Sequence, residues 1–205
     1  MANRSTSTSR AEVVAALPTF DSGNTTLYRW RRKFFPKEPD NRVDLVIPDE
    51  WRCTNDGRRI LLSETGDENK IIIYSTDDCL KELCKADDLW MDGTFKTCPN
   101  LFHQLYTIHI YVFGQMIPVV YALPNKTTIT YCNMLNILKE EAIIRQVTFE
   151  PKVVHVDFEL AVINAILQSF PTTRITGCTF HFSQCVWRKV NKTIWHLINY
   201  TLIFN

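Results

Sequence analysis

Two acidic residues stand where a carboxylate is costly unless it has a task. Asp92 lies within the apolar run Trp90-Met91-Asp92-Gly93-Thr94-Phe95, and Asp157 closes the run Val153-Val154-His155-Val156. A charge inside an apolar strand needs a partner or a bound cation. Two carboxylates brought together repel, and a divalent cation between them resolves the repulsion. Mg²⁺ or Mn²⁺ held by these oxygens would activate water or a 3′ hydroxyl against a phosphodiester. Each residue also has an ordinary reading. Asp157 can cap the helix that follows it, and Asp92 can be the first residue of an Asp-Gly turn. The metal reading gains ground only if the two lie on neighbouring strands.

A second candidate group is Cys178-Thr179-Phe180-His181. Cys178 and His181 are half of a zinc set, which Cys185 and His196 would have to complete. Neither pair has the usual zinc-finger spacing, so a buried thiol and a hydrogen-bonded imidazole are preferred to bound zinc. A third group, Arg29-Trp30-Arg31-Arg32-Lys33-Phe34-Phe35, interleaves cations with aromatic rings. Arg29, Arg31, Arg32 and Lys33 are candidates for phosphate contacts, with stacking on the rings between them. The commoner reading of so short a pattern is a solvated helix face.

The elements that must carry these residues follow from periodicity. Leu89 to Phe95, Leu101 to Phe113 and Met116 to Leu123 read as three consecutive strands. Tyr106, Ile108, Ile110 and Val112 share one face of the second, and Gly114-Gln115 is the turn into the third. The third is apolar enough to be central and buried on both sides. A helix is expected over 128–147, with Tyr131, Met134, Leu135, Leu138 and Ala142 inward and Lys139, Glu140, Glu141 and Arg145 in solvent. The strand ending at Asp157 comes next, then a helix over 158–170 with Leu160, Ile163, Leu167 and Phe170 on one face. A strand over 173–180 and a helix over 181–190 complete the order β-β-β-α-β-α-β-α. This predicts an α/β fold with a mixed sheet, in the strand order of a ribonuclease-H-like domain.

Upstream, short strands are expected at Val43 to Ile47, Arg59 to Leu62 and Lys70 to Tyr74. Asn55-Asp56-Gly57 is a turn, and Thr76 caps a short helix carrying Leu80, Leu83 and Cys84. Cys79 and Cys84 are read as core. The division is then a partly basic segment 1–42, a small β-rich region 43–87, the main domain 88–192 and a divergent tail 193–205. The Ser/Thr-rich start is expected to be a mobile tail, with a short helix at Ala11 to Leu17.

The blocks Trp90 to Pro99, Phe102 to His109, Val156-Asp157-Phe158-Glu159 and Gly177 to Gln184 together resemble the transposase domain of Mutator-like elements (MULE). The likeness covers about residues 70–190. It implies a ribonuclease-H-like fold, cleavage and joining of DNA with Mg²⁺ or Mn²⁺, and a place of action in the nucleus. On this resemblance Asp92 falls on the first catalytic acid and Asp157 on the second. Cys178 and His181 fall on the family's Cys-x-x-His signature. The family's third acid, a Glu, follows a largely helical insertion beyond that block. After Lys192 no acidic residue occurs. Glu159 is expected to point away from Asp157, and Glu140 and Glu141 to face water. The expectation is therefore a transposase-related chain that is C-terminally incomplete and lacks its full acid set. The alternative is a non-catalytic DNA- or protein-binding module derived from one.

Composition sets the outer limits. The chain has 205 residues, 23 basic and 22 acidic, for a net charge of +1. That excludes a strongly basic histone-like protein and an acidic disordered one. Charge runs +4 over residues 1–42, −6 over 43–91 and +3 over 92–205. No secretory signal and no membrane-spanning run is read in the sequence, so the seven scattered cysteines are expected to be reduced thiols.

Overall fold

The computed structural model describes residues 20–36, 39–66, 68–94 and 97–203. It divides into a unit ending at Pro39 and a unit that begins at Asp40. The first holds helix α1 (Phe20–Arg31), whose last turn carries Arg29 and Arg31. The expected Ser/Thr tail and the helix at Ala11 to Leu17 lie outside the described residues.

In the second unit one sheet contains every strand. Its members are β1 (Leu61–Glu64), β2 (Ile72–Tyr74), β3 (Asp88–Thr94), β4 (Leu105–Val112), β5 (Gln115–Leu123), β6 (Val153–Val156) and β7 (Arg174–Gly177). They are arranged β1-β2-β5-β4-β3-β6-β7. β3, β4 and β5 form an antiparallel meander, while β3, β6 and β7 run parallel. Helices α2 (Asp77–Lys85), α3 (Thr128–Ile144), α4 (Leu160–Ser169) and α5 (Thr179–Ile203) join them. From β3 onward the order is β-β-β-α-β-α-β-α, as the periodicity predicts. β1 and β2 of the region 43–87 extend the same sheet, because β2 pairs with β5.

The main core lies on one face of the sheet. Alternation sends Leu89 and Met91 of β3, Tyr106, Ile108 and Ile110 of β4, and Val154 and Val156 of β6 into it. Leu80 and Leu83 of α2, Met134, Leu135 and Leu138 of α3, and Val162, Ala165 and Ile166 of α4 close over them. Thr76 caps α2 by accepting from the Cys79 N–H at 3.2 Å, and Cys79 and Cys84 pack against this core. A smaller cluster, Ile47, Leu61, Ile72 and Phe102, involves the edge strand β1 and its neighbour β2.

Several local expectations are corrected. Val43 to Ile47 is not a strand; it is an irregular segment that inserts Ile47 into the smaller cluster and leaves Val43 and Val46 exposed. The β4–β5 turn is Phe113-Gly114, with φ of 52° and 76°, and Gln115 already belongs to β5. Two consecutive positive φ values match the twist of the flanking strands. β5 is central, but Met116 and Tyr121 are exposed, so its apolar composition overstates its burial. The inward stripe of α4 is Val162, Ala165 and Ile166, and Leu160 and Leu167 face out. A helix apolar nearly all round does not reveal its phase by composition.

On α3 only Glu140 of the four polar residues is fully exposed. Arg145 binds Glu141 and Asp77, both at 2.6 Å, tying α3 to α2. Lys139 lies over the Phe170 ring at 4.1 Å. The segment taken for a divergent tail continues α5 to Ile203, in keeping with the absence of Gly and Pro from Thr179 onward.

Candidate active site

β3 and β6 run side by side with Trp90 opposite His155 and Met91 opposite Val156. On this face the Trp90 and His155 rings stack at 4.5 Å and 4°. His155 is held further by Thr176 at 2.7 Å and Asp88 at 3.2 Å. In a strand, residues two apart share a face. The same register therefore sets Asp92 and Asp157 next to one another, at the adjoining C-terminal ends of two parallel strands.

Asp92 is not in a turn. It pairs with Thr107 of β4, whose hydroxyl donates to the Asp92 carbonyl at 3.3 Å. Asp157 has just left β6, and its Oδ1 accepts the Glu159 N–H at 3.2 Å. That bond braces the turn ahead of α4 but is not the expected cap: Glu159 is the N-cap of α4, and no side chain caps it.

The Cys-x-x-His block arrives from the other side. β7 ends at Gly177, and the Cys178 N–H donates to the Val156 carbonyl at 2.7 Å. That bond places the start of α5 against the end of β6. His181, in the first turn of α5, puts Nε2 3.5 Å from Asp92 Oδ1. The imidazole is thus directed at the first acid, at an ion-pair distance without a hydrogen bond to that oxygen. Cys178 is half-buried, Cys185 is exposed, and the side chain of His196 lies outside the described residues. Among the described residues, no three His, Cys, Asp or Glu side chains form a group that could hold a metal ion.

Sequence reasoning missed a polar chain beneath the two acids. The Tyr131 hydroxyl, from α3, donates to Glu159 Oε1 at 3.0 Å, and the Gln104 amide donates to that hydroxyl. Lys126 Nζ completes the chain, 3.2 Å from Glu159 Oε2. Gln104 is fully buried, and its Oε1 lies where a side chain at Gly93 would begin: a Cβ there would stand 2.6 Å away. The Gln104 amide thus serves a side chain, the tyrosine hydroxyl.

The Glu159 carboxylate turns away from Asp157, as expected, and is taken up by Tyr131 and Lys126. Burial, followed by the Glu159 charge and its hydrogen bond, pushes the Tyr131 phenol far above its ordinary value. Tyr106, fully buried beside Tyr131, is raised first by burial and then by the charges of Tyr131, Asp157, Glu159 and Asp92. The charges of three carboxylates thus act on one buried phenol. The available signal was Tyr131 itself: a tyrosine on an inward stripe must find a partner for its hydroxyl.

Arg29, Arg31, Arg32 and Lys33 all have exposed side chains, and Trp30 meets Phe34 at 4.8 Å. Cations in the last turn of α1 complement the helix dipole, so their exposure suits a solvated face and a phosphate contact alike.

The second unit is thus a mixed α/β domain that presents two acids at the ends of adjoining parallel strands, with an imidazole against one of them. Residues 89–185 match the family model of the MULE transposase domain, and this stretch is a MULE transposase domain. Its origin is therefore transposase-related. No curated protein matches the chain. Among the described residues no helix is long and apolar enough to cross a membrane.

Proposed function

We propose that this domain has a ribonuclease-H-like fold and acts on DNA, with Asp92 and Asp157 as ligands of one divalent cation, Mg²⁺ or Mn²⁺. The arrangement β5-β4-β3-β6-β7, with only β4 reversed, supports the fold. The observation that supports the function is the β3–β6 register, which runs to Met91 opposite Val156, so that Asp92 and Asp157 are the next residues on the two chains. The residues also suit a hard cation. Asp92 Oδ1 is buried without a hydrogen-bond partner, and oxygen ligands are what Mg²⁺ and Mn²⁺ prefer.

A bound cation would polarise a phosphoryl oxygen and lower the pKa of its water. The protein's own part is orientation. The Glu159 N–H fixes one Asp157 oxygen, and His181 stands beside Asp92 on the face where a phosphate would approach. Cys178 anchors that approach through its backbone. Asp92 and Asp157 would hold one ion between them. The exposed cations Arg29, Arg31, Arg32 and Lys33 are placed in the same reading as phosphate contacts, and the nucleus as the place of action.

Mn²⁺ titration followed by electron paramagnetic resonance tests this. Asp92→Asn and Asp157→Asn should each weaken binding at least about tenfold, the order expected for loss of a ligand. The same variants should abolish nicking of supercoiled plasmid in Mn²⁺. Unchanged Mn²⁺ affinity in both variants refutes the ligand assignment.

A further inference from the structure

Two aromatic rings flank the paired acids. Phe158 follows Asp157 in the chain and Phe182 follows His181. Their ring centroids are 6.4 Å apart at 58°, and the residues are 55% and 57% exposed. Exposed phenylalanines forfeit hydrophobic stabilisation, so a pair held at a candidate active site calls for an occupant.

Phe158 is also braced. A Cβ at residue 177 would lie 3.0 Å from two of its ring carbons, so glycine is what lets the ring rest on the end of β7. The tip of the ring lies against Gly177, and the residue as a whole is more than half exposed.

The surroundings select the occupant. From Leu160 to the last residue there is no Asp or Glu, while Arg174, Arg188, Lys189 and Lys192 are basic. An anion with flat apolar faces meets both features, and a nucleic-acid strand is one. Paired bases hide their faces in the duplex, whereas unpaired bases present them.

We propose that Phe158 and Phe182 form a stacking platform for an unpaired base beside Asp92 and Asp157, with the basic residues of α5 taking the adjoining phosphates. This deepens the reading of the domain as acting on DNA and depends on it. Stacking on a ring is tolerant of sequence, so the platform would recognise strand separation and not a base order.

The test compares blunt duplex with the same duplex carrying a short single-stranded overhang, with 2-aminopurine in the overhang. The parent chain should favour the overhang and quench its fluorescence. Phe158→Ala with Phe182→Ala should lower overhang affinity about tenfold and leave blunt-duplex affinity within about twofold. The slope of affinity against salt should not change, because no phosphate contact is removed. Phe158→Leu keeps the apolar bulk and should still lose the quench. Gly177→Ala should displace the ring and mimic the double variant, with the thermal midpoint reporting that each variant is folded.

If the parent chain binds neither DNA, the DNA reading falls and the platform with it. If it binds both DNAs and the phenylalanine variants match it on the overhang, only the platform falls. Self-association that depends on the two rings, with overhang binding unchanged, would make the surface a contact between copies and also overturn the platform.

Discussion

The Tyr131 hydroxyl reaches from the first turn of α3 to the Glu159 carboxylate at 3.0 Å, joining the helix on the core face to the turn that carries Asp157. Glu159 in turn presents its N–H to Asp157 Oδ1 at 3.2 Å. The position of the second acid is therefore secured from below by a chain that runs back to the buried Tyr131 and Gln104.

Two Tyr→Phe substitutions should differ in sign. Tyr131→Phe removes the link between Gln104 and Glu159 and strands both in a buried setting, at a cost of about 1–3 kcal/mol. The Tyr106 hydroxyl is buried without a hydrogen-bond partner, so Tyr106→Phe should be neutral or stabilise by up to about 1 kcal/mol. Urea denaturation of the two variants reads the difference. Equal destabilisation would contradict the network.

Gly93→Ala tests the close approach above Gln104. The new methyl group would meet Gln104 Oε1, and the amide could yield only by leaving Tyr131. A loss of about 1–3 kcal/mol is expected, with most of it absent when Gln104 is already alanine. A double-mutant cycle measures that coupling, and additive effects would place the strain elsewhere.

Alkaline pH should weaken the fold in two stages. Burial pushes the Cys84 thiol from 9.0 up to about 11, and the Tyr106 and Tyr131 phenols are raised above 10.0. Each group holds its proton more tightly in the folded chain. Its stabilising contribution is complete below the unfolded value and is lost as pH rises towards the folded one. Denaturation midpoints should therefore begin to fall near pH 9 through Cys84 and continue above pH 10 through the tyrosines. Cys84→Ala should remove the first stage. Tyr106→Phe should soften the second. A midpoint flat from pH 8 to about pH 11 would contradict the burial of these groups.

Much of the fold was legible because its periodicities are strong. The apolar alternation of β4 and the inward stripe of α3 each allow only one face to be buried. Where composition was apolar all round, as in α4 and β5, the phase was lost, because hydrophobicity without contrast carries no direction. The hairpin turn was displaced by one residue. Phe113 at positive φ is an unfavourable choice that propensity would not select, and strand twist overrides it.

The site divides along the same line. Residue type and order alone place Asp92 within one apolar strand and Asp157 at the end of another, with the Cys178-to-His181 block after the second. Only the tertiary structure decided that His181 meets Asp92, that Glu159 turns inward to Tyr131, and that Phe158 lies on Gly177. Each of those contacts joins elements far apart in the chain or depends on where one strand ends against another. Side-chain direction at such ends is set by register, twist and packing across the sheet, which no local pattern encodes.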